Sequence, residues 1–168
     1  FPGASHKTKM WDTKNFAAIA DHLHSKYNYA IVVCGSENER PLAELIMKRA
    51  QDAKIIIMNS SSLPKLGKIL SRARIIITND TGAMHMGVAV GTRVVCISSG
   101  ISAGRYTPYP KFLCDKCATV YPPGMPELSN DQMEKVYEQY QYGTNFNINS
   151  IQPSEVIKHI DLLLSKNF

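Results

Sequence analysis

Residues 74–90 read RIIITNDTGAMHMGVAV, and the reading of this stretch decides the fold of the whole chain. Ile75, Ile76 and Ile77 form a β-branched run suited to a strand buried on both faces. Asn79-Asp80-Thr81-Gly82 is a polar turn, and residues 83–90 are small and apolar, as a helix packed on its own strand would be. That order brings the backbone N–H groups of Thr81, Gly82 and Ala83 near a helix N-terminus, where unpaired donors and the positive dipole end suit an anion. In an open parallel sheet this point is also the carboxyl end of a strand, where ligands bind. Asp80 has two readings here: a helix cap or part of a phosphate site.

Outward from this stretch, helical and strand-like spacings alternate. Phe16, Ile19, Ala20 and Leu23 predict a helix, and residues 30–34 a strand. Leu42, Leu45, Ile46 and Ala50 predict the next helix, and residues 54–58 the next strand. Leu63, Leu66, Ile69, Leu70 and Ala73 lead into the strand at 74–78, and a further strand is expected at 93–97. Strands alternating with helices imply an α/β fold with a Rossmann-like, doubly wound parallel sheet. Residues 99–128 hold five prolines and three glycines and read as a long irregular loop. Ser129 or Asn130 is placed to cap a helix carrying Met133, Val136, Tyr137 and Tyr140 on one face. Pro153 suits the first position of a final helix that buries Val156, Ile160, Leu163 and Leu164.

A length of 168 residues predicts a single domain over 1–168, and 44% apolar with 20% charged residues is ordinary for a globular one. The longest apolar runs fall well short of the roughly 20 residues that span a bilayer. The net charge of +5 favours an anionic partner. Its Lys and Arg residues are scattered, however, which argues against nucleic acid. Cys34 and Cys96 end apolar runs and read as buried hydrophobes. Cys114 and Cys117 cannot by themselves complete a tetrahedral zinc site; His22, His24 or His159 would have to join them. The pair follows a Pro-rich stretch instead of opening a helix, which speaks against a thioredoxin-like centre and for loop cysteines. The opening Phe1-Pro2-Gly3 reads as the end of a strand entering a turn, and hence as a piece of a longer chain.

Two further turns are expected at the same sheet edge as Asp80. These are Gly35-Ser36-Glu37-Asn38-Glu39 and Ser60-Ser61-Ser62, after the strands that precede them. Glu39 is suited either to a ribose diol or to the dipole of the helix it opens. Neither G-x-G-x-x-G nor a P-loop is present, which argues against a nicotinamide enzyme or an NTPase.

Four matches in order carry a family resemblance. They are Phe1-Pro2-Gly3-Ala4-Ser5 with Lys9 and Trp11, the strand–Gly35–Glu39 segment, Asn79-Asp80-Thr81-Gly82 with Met84 and His85, and Arg105-Tyr106 with Pro108 and Tyr109. Over residues 1–109 the chain resembles the C-terminal domain of glycosyltransferase family 9, the lipopolysaccharide heptosyltransferases; beyond 110 the likeness is loose. The resemblance implies the donor-binding half of a GT-B fold, the acceptor site and catalytic base lying in an N-terminal half outside this chain. It implies an ADP-sugar donor (ADP-heptose), inverting transfer to a lipopolysaccharide core acceptor, and a cytoplasmic location with peripheral contact at the inner membrane face.

Carried over residue by residue, the resemblance makes Lys9 the catalytic residue, neutralising charge on the departing diphosphate. It implies that Glu39 holds the ribose and that Thr81 and Gly82 offer amides to the diphosphate. Asp80 is better suited to a turn-fixing cap, because its carboxylate would repel phosphate. His85, one turn into the helix and leaning back toward its N-terminus, is within reach of phosphates or sugar. Ser5, Ser61, Ser62 and Leu63 complete the expected substrate site. No D-x-D pair occurs, so neither a metal nor another cofactor is expected. The chain departs from the family in lacking a cysteine in Asn145-Phe146-Asn147-Ile148, ahead of the last helix. Two other functions fit the same fold: a non-catalytic nucleotide-binding module, and a GT-B-type nucleotide-sugar epimerase.

Overall fold

Short β-branched runs make the strands of the computed structural model, which describes residues 1–59, 62–125, 133–140, 142 and 144–166. β1 (Ile31–Gly35) and β2 (Ile55–Asn59) pair in parallel, Ile31 opposite Ile55 and Gly35 opposite Asn59. β3 (Ile76–Asn79), β4 (Val94–Ile97) and β5 (Cys117–Val120) form a second parallel sheet in the order β3-β4-β5. All four residues of β4 are fully buried, as expected of a central parallel strand covered on both faces.

α1 (Thr13–Tyr27) starts at Asp12, whose carboxylate accepts the Lys14 N–H, and stops at Asn28 in the left-handed conformation. It buries Phe16, Ile19, Ala20 and Leu23, the face its spacing predicts. α2 (Arg40–Arg49) buries Ala43 and Ile46 but leaves Leu45 42% exposed, so its apolar stripe is narrower than expected. α3 (Leu63–Leu70), α4 (Gly82–Ala89) and α5 (Met133–Tyr140) follow, and α6 (Pro153–Ser165) buries Val156, Ile160 and Leu163. α4 lies hard against its own strand: a Cβ on Gly87 would fall 2.7 Å from Ile76 Cδ1 and 2.8 Å from Val94 Cγ2. The main core joins α1, α6 and the sheet around Trp11, which is 1% exposed and meets the Phe16 ring edge-on. Cys34 and Cys96 are buried, as expected. No helix of the described residues is long and apolar enough to cross a membrane.

Two features depart from the sequence reading. The strands do not form one continuous sheet. Among the described residues no strand lies between β1 and β3; only Phe1 reaches there, donating from its nitrogen to the Ile77 carbonyl (2.9 Å) and accepting the Asn79 N–H (3.3 Å). Second, β5 lies inside the segment read as a loop, so Cys117 opens a strand opposite Val94 instead of sitting in a loop. Burial first of all, and then the nearby Cys114, push its thiol up to about 12. The expected helix cap at Ser129 or Asn130 falls outside the described residues.

Helix α6 is tied to α1 through one carboxylate. Asp161 has His22 Nε2 at 2.9 Å and accepts from Lys26 Nζ (2.7 Å) and the Tyr27 hydroxyl (2.8 Å). Partial burial opposes its charge, but the Lys26, His22 and Tyr27 bonds prevail and hold its pKa at about 2. A carboxyl that ionises more easily folded than unfolded stabilises the fold fully above its unfolded pKa of 3.8, and loses that contribution as pH falls toward 2. Asp161→Asn is therefore expected to lower stability by about 1–2 kcal/mol at neutral pH, discounted for partial exposure. It should also remove part of the stability loss between about pH 4 and 2. Urea unfolding of both proteins across that window checks it; parallel pH profiles would refute the ion cluster as a source of stability.

Candidate functional site

The first eleven residues are held to the end of β3 by the backbone of Phe1 and by the side chain of Asn79. Asn79 is fully buried; its Nδ2 donates to the Pro2 carbonyl (2.8 Å) and its Oδ1 accepts the Trp11 N–H (3.2 Å). The 3₁₀ turn Lys7–Lys9 lies between those two attachments. A cavity of about 270 Å³ opens beside this segment, at the carboxyl ends of the strands. Gly3 and Ser5 line it from the leading segment, Gly35 and Glu39 from the turn after β1, and Thr81 and Ala83 from the start of α4. Three sequence features far apart in the chain therefore meet in one place, as a parallel α/β topology requires.

Glu39 is held before any ligand is considered. Its Oε2 accepts from the Ser36 N–H (2.7 Å) and the Ser36 hydroxyl (2.7 Å), closing a capping box around the 3₁₀ turn Glu37–Glu39. Its other oxygen presses on the leading segment, and a Cβ on Gly3 would fall 1.6 Å from Oε1. Sequence reasoning missed Gly3 as part of the site. Its signal was present in the Pro-Gly-Ala-Ser stretch, but the need for glycine comes from a side chain 36 positions away.

The other expected residues divide. Thr81 lines the cavity and precedes α4 with extended backbone (φ −144°, ψ 175°), and Gly82 is the exposed first residue of the helix. The Met84 N–H donates to the Thr81 carbonyl (3.0 Å), while the Gly82 and Ala83 amides before it have no acceptor within the helix itself. Asp80 does not cap the helix. It is buried, and its carboxylate accepts from the Ser98 hydroxyl (3.1 Å), linking the ends of β3 and β4. The Asp80 side chain is thereby drawn toward the loop after β4, and the cap position falls to Thr81, which makes no side-chain cap bond.

His85 is absent from the cavity lining; its Nδ1 lies 2.7 Å from the Tyr109 hydroxyl, and its ring meets those of Tyr106 and Tyr109. Arg105 covers the Tyr106 ring at 4.8 Å, so the Arg105-Tyr106-x-Pro108-Tyr109 motif supplies the surroundings of His85. Leu63 is 68% exposed and does not line the cavity; Leu66 and Ile69, about one and two turns further along α3, do. Ser62 immediately precedes α3, and its carbonyl accepts the Leu66 N–H at 3.0 Å. Ser61 lies outside the described residues. Lys9 closes its 3₁₀ turn, half-buried, and does not line the cavity.

Residues 1–137 match the family model of glycosyltransferase family 9 (heptosyltransferase). Over 112 residues the chain is 25% identical to lipooligosaccharide heptosyltransferase 2 of Haemophilus influenzae, covering 64% of this chain and 32% of that protein. The chain spans about a third of the length of the curated relatives it matches. Among solved structures, E. coli ADP-heptose lps heptosyltransferase II superposes with a TM-score of 0.73 at 21% identity, over 97% of this chain and 44% of the other. An E. coli heptosyltransferase solved with ADP superposes with a TM-score of 0.66 at 14% identity, over 97% and 42%. At such identities the superpositions establish the fold alone, a Rossmann-like α/β fold that covers less than half of each of those chains.

Proposed function

Because the chain belongs to glycosyltransferase family 9, the heptosyltransferase family, we propose that it is the donor-binding domain of a metal-independent GT-B glycosyltransferase. Its donor is ADP-heptose and the acceptor a lipopolysaccharide core, reached at the inner face of the cytoplasmic membrane. One observation carries this reading: Ser5, Glu39 and the N-terminus of α4 converge on a single cavity at the strand ends. Glu39, already oriented by Ser36, accepts from the ribose hydroxyls. The amides of Thr81 and Gly82, at the positive end of α4, take the diphosphate. Lys9 neutralises the charge that grows on the diphosphate as it departs. In the transfer an acceptor oxygen bonds to the anomeric carbon while the carbon–oxygen bond to the diphosphate breaks. The acceptor's proton passes to a base on another domain, since the acceptor must be pinned against a second wall. In support, no D-x-D pair is present to hold a divalent metal.

Titration calorimetry of this chain with ADP, UDP and GDP tests the site. Heat is expected with ADP and should be unchanged by EDTA; a folded domain giving no heat with any of them would refute the reading. Gly3→Val supplies a sharper version. The added Cβ displaces the Glu39 carboxylate from Ser36, so ADP should bind at least tenfold more weakly, while stability falls by only about 1 kcal/mol for the lost cap. Equal ADP affinity in a folded Gly3→Val protein would remove Glu39 from the site.

A further inference from the structure

The fold gathers positive charges that lie scattered along the sequence. Residues 53–114 hold eight Lys and Arg and a single acid, Asp80, whereas the other residues hold eleven bases and thirteen acids. Asp80 is buried and bonded to Ser98, so it does little to offset those bases at the surface. The same stretch supplies α3, α4 and the loop after β4, and these share one side of the sheet. Leu70 of α3, Met84 of α4 and Cys96 of β4 belong to one core cluster, with Tyr109 of the loop packed against it. α1, α2 and α6 enclose the other cluster. The two sides of the molecule therefore differ in charge.

Lys65, Lys68 and Arg72 are exposed at helical spacing along α3 and just past its end. Among the described residues, ion pairs join side chains at 12–49 and 155–161, and none of these reaches that stripe. Beyond α4 the loop turns at Pro110, whose carbonyl accepts the Leu113 and Cys114 N–H groups (2.9 and 3.0 Å). That turn carries exposed Lys111 beside two bare apolar side chains, Phe112 at 80% and Leu113 at 65% exposure. We infer that this side of the molecule docks on a bilayer containing anionic phospholipids. The α3 stripe and Lys111 meet the headgroups, and Phe112 and Leu113 enter the boundary with the acyl chains. Bases alone would suit a nucleic acid as well, since phosphates reward positive charge of any arrangement. Adjacent exposed Phe and Leu beside a lysine favour lipid, where apolar side chains leave water while the ammonium stays among the phosphates. The inference names the face behind the membrane location proposed above and rests on that location, not on the sugar donor.

Flotation of this chain with vesicles tests the face, phosphatidylcholine alone against an equal mixture with phosphatidylglycerol. Binding is expected only to the mixture and should fade as salt rises. The triple variant Lys65→Glu, Lys68→Glu, Arg72→Glu should bind about 100-fold more weakly or worse. Phe112→Ser with Leu113→Ser should cost about tenfold at every salt concentration. Lys14→Glu, Lys48→Glu, Lys158→Glu, at exposed positions on α1, α2 and α6, changes the net charge equally and should leave binding nearly intact. Circular dichroism checks that each variant is folded. Equal losses in the two triple variants would assign the binding to net charge and overturn the face. Equal binding to both vesicles, or to neither, would overturn it too. Tighter binding to a single-stranded RNA oligonucleotide than to the mixed vesicles would make nucleic acid the occupant. Calorimetry with ADP is read separately: absent vesicle binding with that heat intact strikes this face and spares the donor site.

Discussion

Asn79→Leu is expected to destabilise the chain by about 3–5 kcal/mol, because it leaves two buried backbone groups without partners. The Asn79 amide satisfies both the Pro2 carbonyl and the Trp11 N–H, at a position with no solvent exposure. Leucine fills similar space but offers neither donor nor acceptor, and water cannot take over at a fully buried site. Asn79→Asp separates the two halves of the clasp. It keeps an acceptor for Trp11 and loses the donor to Pro2, placing a carboxylate beside a carbonyl, so it should also destabilise. Urea unfolding followed by tryptophan fluorescence reports on the clasp directly, since Trp11 is the chain's single tryptophan. A loss below about 1 kcal/mol for Asn79→Leu would mean that the leading segment is held by something else.

Trp11→Ala is the second large effect, expected at about 3–5 kcal/mol. The side chain is 1% exposed, packs edge-on to Phe16 and donates from Nε1 to the Ile151 carbonyl (3.0 Å). Alanine leaves a cavity where α1, the leading segment and the approach to α6 meet, and it strips a buried carbonyl of its donor. Trp11→Phe keeps most of the volume and loses only the hydrogen bond, so it should recover more than half of the loss. If phenylalanine and alanine were equally damaging, the Ile151 bond rather than packing would dominate. Because Asn79 and Trp11 share a hydrogen bond, the double variant should fall short of the sum of the two singles.

Much of the fold was legible because its signals are local. The isoleucine and valine runs of β1 to β4 and the helical spacing of α1 and α6 depend on near neighbours, and those elements stand where the spacing places them. β5 escaped because Cys117-Ala118-Thr119-Val120 is short and sits among prolines and a cysteine pair. The division of the sheet was hidden for a different reason, since strand pairing is non-local and leaves no mark on periodicity. At the site, Glu39 and Thr81 followed from topology, which places strand ends together whatever the side chains. Leu63 was misplaced along α3, because which turn of a helix faces a cavity depends on its rotation, and α3 begins with two adjacent candidates, Leu63 and Leu66. Asp80 meeting Ser98 joins two strand ends 18 residues apart, and His85 meeting Tyr109 joins a helix to a loop 24 residues on. Motif spacing could name the residues but not pair them.

The Ser36–Glu39 clasp has a consequence for timing. A free glutamate side chain samples several rotamers, and immobilising one forfeits on the order of 1–2 kcal/mol of entropy. Here that loss falls within folding, since the carboxylate is fixed by two hydrogen bonds from a residue three positions earlier. A molecule arriving at the cavity therefore meets a template instead of a search. If the donor site proposed above is right, discrimination between one ribose edge and another follows from the geometry of a turn that formed when the chain first folded, and Ser36 shapes that choice whether or not it touches the guest.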